Sequence, residues 1–162
     1  MRRDPIEARV VAALDDLGAD YEIVECDPAS ADTASFCRRY GYPPEISANA
    51  ILVASRRPPG RLALCLALAT TNLDVNRKVR DLLGVRKLSF ASAEVTREAT
   101  GMEIGGVTPF GVSGDVPVYV DDRITDLDRC IVGGGSRGMK VIVDPAVFPG
   151  MPGVQIVSGL AS

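Results

Sequence analysis

The chain has 162 residues and a net charge of −3, from 18 Lys or Arg against 21 Asp or Glu. That length and a hydrophobic content of 46% suit one packed core and exclude a wholly disordered chain. The charge balance excludes histone-like binding, so any nucleic-acid contact has to come from a local patch. There are no histidines, which excludes Ser-His-Asp and Cys-His catalysis and His-ligated zinc.

The N-terminus, MRRDPIEARV, is charged from its start and lacks the apolar stretch of an export signal. Asp4 can cap a helix with Pro5 in its first turn, and Ile6, Val10, Leu14 and Leu17 recur at helical spacing until Gly18. YEIVE (21–25) predicts a strand, and Asp32, the run 34–40 and Gly41 predict a second helix with its cap and stop. AILVAS (50–55) and RLALCLALA (61–69) flank the turn sequence RRPPG and predict a hairpin of largely buried strands. The apolar run 62–69 is far short of the roughly 20 residues of a membrane-spanning helix. A cytoplasmic protein with reduced thiols and no membrane partner is expected.

Asp74 predicts the cap of a helix whose apolar face is Val75, Val79, Leu82 and Leu83, ended by Gly84. KLSFA (87–91) is strand-like, and Ser92 to Thr100 reads as a short helix ended by Gly101. The stretch MEIGGVTPFG leaves regular structure, after which VPVYVD, CIV, MKVIVD and VQIVS are predicted strands. Neither a repeat nor a linker interrupts the chain, which suggests a single domain over 1–162. The expected fold is α/β (α+β), with one mixed, partly closed barrel-like β-sheet and helices packed outside.

Three features bear on chemistry. Gly133, Gly135 and Gly138 satisfy GxGxxG, but the following MKVIVD is strand-like, so no helix N-terminus faces a pyrophosphate and a glycine-rich hairpin is favoured. In GGVTPFG (105–111), two glycines and Pro109 could present backbone N–H groups as an oxyanion hole, or form a structural turn that Phe110 anchors in the core. Arg77, Lys78, Arg80, Arg86 and Lys87 could hold RNA phosphates or form a solvated helix face, and Arg56, Arg57 and Arg61 carry the same ambiguity. Cys26, Cys37, Cys65 and Cys130 form no CxxC pair, so a structural metal is not expected, and Cys65 reads as a small buried thiol. Asp121 and Asp122 are read as turn initiators, because adjacent strand residues point to opposite faces.

The order of these pieces resembles the YbaK/prolyl-tRNA-synthetase-associated domain family of aminoacyl-tRNA editing proteins. The resemblance rests on EATGMEIGGVTPFG (98–111), on VGGGSRG (132–138) and on the lead-in KLSFASAEVTREATG (87–101), and extends over nearly the whole chain. It implies a pocket that hydrolyses the ester of mischarged aminoacyl-tRNA without a metal or other cofactor. It implies catalytic roles for Asn49, Gly105, Gly106 and Thr108. Substrate contacts would come from Pro109, Phe110, Gly133, Gly134, Gly135 and Arg137, with Arg137 near phosphate or in a structural pair. Aminoacyl-tRNA is the implied partner, and an aminoacyl-tRNA synthetase a second one.

Two positions depart from the family pattern. Asn49 stands where many members carry a lysine, and Gly133 stands where they carry a serine. An amide can orient water or a ribose hydroxyl, but it brings no positive charge to a developing oxyanion. The leading expectation is a deacylase using Asn49, loop amides and the substrate's own ribose hydroxyl. Its rival is a catalytically impaired module that binds aminoacyl-tRNA, a synthetase or a small aminoacyl ligand, and a weaker third reading is a nucleotide-binding regulator. Without histidines or paired cysteines, hydrolysis is expected to be unaffected by EDTA. Stoichiometric zinc, with activity lost on chelation and restored by zinc, would overturn that expectation.

Overall fold

The computed structural model describes residues 4–162. Helix α1 (Pro5–Asp16) starts where the Asp4 carboxylate accepts the Ile6 N–H at 2.8 Å, and it buries Val10 and Leu14. Strand β1 (Tyr21–Glu25) follows, then α2 (Thr33–Tyr40), capped by Asp32 and closed by Gly41 in the left-handed conformation. The predicted hairpin consists of β2 (Ala48–Arg57) and β3 (Pro59–Leu68).

The helix predicted from Asp74 differs in its first turns. Asp74 makes no side-chain cap, Val75–Val79 is a π turn, and only α3 (Arg80–Leu83) is α-helical. The cause is a tether to the C-terminus. The Asp74 N–H donates to the Leu160 carbonyl at 3.0 Å, and Leu73 forms an antiparallel bridge with Ala161. The widened turn, with the Val79 N–H on the Asp74 carbonyl, still buries Val75, Val79 and Leu83. Beyond it come β4 (Lys87–Phe90), α4 (Ala93–Thr100), β5 (Val118–Asp121), β6 (Cys130–Gly133), β7 (Met139–Val143) and β8 (Val154–Val157).

The expected single, partly closed barrel-like sheet is replaced by two open sheets. One is antiparallel with order β1-β7-β6, and the other is mixed with order β4-β2-β3-β5-β8. A lone parallel bridge between Ser47 and Ile131 joins them at the start of β2. Strand periodicity sorts the buried residues into separate cores. Along β3, Leu64 and Leu66 face a core between the sheets together with Val120, Val132, Val141 and Phe110, while Ala63 and Cys65 face a second core under Val79 and Leu83. A third core, formed by Phe36, Cys37, Ile131 and Ile142, sits between α2 and the outer face of the three-stranded sheet. β3 is therefore packed on both faces, one against each of the first two cores.

All four cysteines are free and buried, and burial pushes the Cys65 and Cys130 thiols up to about 12. Among the described residues no helix is long and apolar enough to cross a membrane. Of the two aspartates expected to start a turn, Asp121 caps the 3-10 turn Asp122–Asp126 through the Arg123 N–H. Its side chain is fully buried and pairs with the Arg123 guanidinium at 3.1 Å, and that guanidinium also reaches the Ala161 carbonyl.

Burial raises the Asp121 carboxyl, but the hydrogen bonds and charge of Arg123 outweigh it and hold the group below its ordinary 3.8. The stabilisation is therefore present above pH 3.8 and is lost as pH falls through the lower folded value. Asp121→Ala is expected to cost about 1–3 kcal/mol in denaturant melts at neutral pH. The difference from the unmutated protein should shrink in strong acid; a pH-independent difference would refute the ion-pair account.

Candidate active site

The seam between the sheets opens into a cleft of 340 Å³, within the size range of small-ligand sites. Its walls come from four places: Asp32, Thr33 and Phe36 at the start of α2, Ser47 to Ile51 along β2, Ile104, Gly105 and Val107 in the loop after α4, and Ile131, Val132, Gly133 and Lys140 from the facing hairpin. The three sequence segments expected to converge therefore do so, and Asn49, Gly105 and Gly133 share one cavity.

Asn49 is exposed at the second position of β2, and its Oδ1 accepts the Thr33 hydroxyl at 2.7 Å. This fixes the amide and leaves Nδ2 as the donor it can offer a ligand. Asp32 keeps its carboxyl below the ordinary carboxylate value, chiefly because it accepts the Ser35 N–H while capping α2.

The remaining predicted residues lie outside the cleft lining, for reasons visible in the backbone. The Gly106 N–H is spent on the Glu103 carbonyl at 2.8 Å, whereas those of Gly105 and Val107 have no hydrogen-bond partner among the described residues. A Cβ on Gly106 would sit 2.3 Å from the Ser136 carbonyl oxygen, and one on Gly133 would sit 2.4 Å from that of Val107. The glycines at these positions thus let two main chains touch. Gly135 is buried in the same contact, with its N–H on the Gly106 carbonyl at 2.6 Å, whereas Gly134 is buried against the Met139 main chain across its own hairpin, its N–H on the Met139 carbonyl at 3.0 Å. Pro109 is buried, and Phe110 stacks on Phe148 at 5.7 Å as a core anchor. Thr108 is fully buried, and its hydroxyl has no partner among the described residues. Arg137 is in a structural pair: its guanidinium bonds the Pro28 and Ile104 carbonyls at 3.1 and 2.8 Å.

One cleft residue was missed. Lys140 is 7% exposed, and its Nζ donates to the Gly105 carbonyl at 2.5 Å. The available signal was a lysine inside the apolar run MKVIVD, where strand periodicity puts both neighbours, Met139 and Val141, into the core. Lys140 and Asp32 are the charged side chains among the described residues that line the cleft.

The aminoacyl-tRNA editing domain family matches residues 27–149, a span that contains every cleft-lining residue. The chain belongs to this family. Its curated relatives include uncharacterized protein YwhH of Bacillus subtilis, 28% identical over 78% of each chain. They also include a proline–tRNA ligase of Thermoanaerobacter, 34% identical over 46% of this chain but only 14% of the ligase. Among solved structures, a candidate trans-editing enzyme for prolyl tRNA synthetase superposes with a TM-score of 0.80 at 23% identity, covering 97% of this chain and 98% of that one. The editing-domain fold is thus shared over nearly its whole length.

The backbone contact gives a direct test. Gly106→Ala must push the Ser136 main chain aside and is expected to destabilise the protein by about 1–3 kcal/mol in thermal or denaturant melts. Unchanged stability would show that the two segments are not tightly joined.

Proposed function

We propose that the protein is a trans-acting deacylase that hydrolyses the ester joining a mischarged amino acid to the terminal ribose of tRNA. The observation that carries this reading is the convergence of Asn49 and the 105–107 loop on one cleft inside the family-matched span. Water held by the Asn49 amide adds to the ester carbonyl, the carbon–oxygen bond to the ribose breaks, and the ribose oxygen leaves with a proton. The neighbouring ribose hydroxyl relays that proton, a role that needs no histidine. The N–H groups of Gly105 and Val107 are the loop donors available to the carbonyl oxygen.

The tRNA body is assigned to the basic surface formed by Arg77, Lys78, Arg86 and Lys87. Arg57 extends this surface, because it pairs with Lys87 across β2 and β4. Arg80 contributes less because Asp81 lies 3.5 Å from it. Action alongside a prolyl-tRNA synthetase is consistent with the proline–tRNA ligase relatives. A binding-only module is the second reading, favoured by an uncharged Asn49 whose oxygen is already held by Thr33.

Deacylation time courses on a panel of mischarged tRNAs separate the two. Turnover by the unmutated protein, lowered about 100-fold in Asn49→Ala with the fold intact, is the expected result. Binding without turnover would establish the second reading, and neither binding nor turnover would overturn both. Gly105→Val is a poor probe of ester approach, since φ there is +98° and a Cβ would meet the Arg137 guanidinium at 2.4 Å.

A further inference from the structure

The cleft's ammonium has no role in the reaction outlined above, and its surroundings point to one. Lys140 shares a face of β7 with Ile142, on the side covered by α2, while Met139, Val141 and Val143 fill the core between the sheets. Its Nζ lies 5.8 Å from the Phe36 ring centroid and, among the described residues, makes one hydrogen bond, to the Gly105 carbonyl. An ammonium has three donors. Burying one with a single acceptor is unfavourable for folding, and an apolar residue between Met139 and Val141 would cost less. The open space within reach of the remaining donors is the cleft, beside the loop that also carries the Gly105 and Val107 N–H groups.

We propose that Lys140 is a catalytic residue: its ammonium donates a hydrogen bond to the carbonyl oxygen of the bound ester and neutralises the charge that forms there. This rests on the ester-hydrolysis reading. As water oxygen bonds to the carbonyl carbon, the C=O π pair moves onto oxygen and is held by the Lys140 N–H. The pair then returns, the bond from carbon to the ribose oxygen breaks, and that oxygen takes the proton shed by water. Lys140 keeps its proton throughout, so it acts as fixed charge rather than as acid or base.

Burial pushes the Lys140 ammonium below its ordinary 10.5. Cys26 after β1 and Asp32 and Cys37 at α2 pull it back up, and Arg137 in the turn before β7 pushes it further down. The charge is lost as pH rises through the lowered value, so turnover should decline on an alkaline limb centred below 10.5. Arginine stays protonated across that range.

The experiment measures kcat, KM and the pH profile for the unmutated protein, Lys140→Met, Lys140→Gln and Lys140→Arg on a mischarged tRNA that the unmutated protein hydrolyses, corrected for spontaneous ester hydrolysis. Expected are a kcat about 10²–10³-fold lower in Met and Gln with KM within a few-fold. Arg should retain partial activity and lose the alkaline limb. Melting curves should show Lys140→Met at least as stable as the unmutated protein, because a buried charge is removed. Should Met or Gln fail to fold, the limb in Lys140→Arg decides alone. Undiminished kcat in the folded Met variant, or an unmoved limb in Arg, overturns the role of Lys140 while leaving hydrolysis standing. Absence of turnover by the unmutated protein on every aminoacyl-tRNA removes the hydrolysis reading and this role together.

Discussion

The 2.6 Å hydrogen bond from the Gly135 N–H to the Gly106 carbonyl ties the loop after α4 to the turn between β6 and β7. Around it the two main chains approach so closely that a single Cβ on Gly106 or Gly133 would fall within 2.4 Å of a carbonyl oxygen. Contact of this kind leaves little freedom of position, because main-chain atoms cannot rotate out of the way as side chains do. Arg137 adds a brace across the Pro28 and Ile104 carbonyls, and Lys140 fastens Gly105 from below. The cleft therefore has one wall made of backbone with few degrees of freedom, the arrangement that preorganised amide donors require.

The opposite wall is built differently. Asn49 sits near the start of β2, beside the Ser47 bridge that joins the two sheets, and Thr33 orients its amide from the N-terminus of α2. Each sheet contributes one polar group to the cavity, an amide from the five-stranded sheet and an ammonium from the three-stranded one. The apolar residues Phe36, Ile51, Ile104 and Ile131 fill the space around them. A site placed on a seam collects groups from elements far apart in sequence, and its chemistry is readable only once those elements are assembled.

Local rules carried much of the fold. Caps at Asp4, Asp32 and Ser92 and left-handed stops at Gly41, Gly84 and Gly101 lie where the sequence predicts them, because each is decided by residues within one turn. The π turn at Val75–Val79 was not legible, since its cause is the C-terminal segment at Leu160 and Ala161. Sheet partition was likewise beyond local pattern: a strand buried on both faces reads the same in a barrel as in a stack. At the site, glycine spacing located the loop and turn but not their mutual contact, which consumes Gly106, Gly133 and Gly135. Lys140 escaped because a cation in an apolar strand gains meaning only from what the strand faces.

The two-sided burial of β3 also bears on how the protein reaches this structure during synthesis. Pro59–Leu68 emerges from the ribosome well before its parallel neighbour Val118–Asp121, and before the α3 region that covers its far face. In that interval the nascent chain carries a flat apolar ribbon with only β2 to pair with, the kind of segment that recruits other strands. Arg56, Arg57 and Arg61 cluster at the exposed hairpin end, so like charges would meet if two such ribbons aligned. Arginine charge at the hairpin end thus guards an apolar stretch of the nascent chain until its later strands arrive.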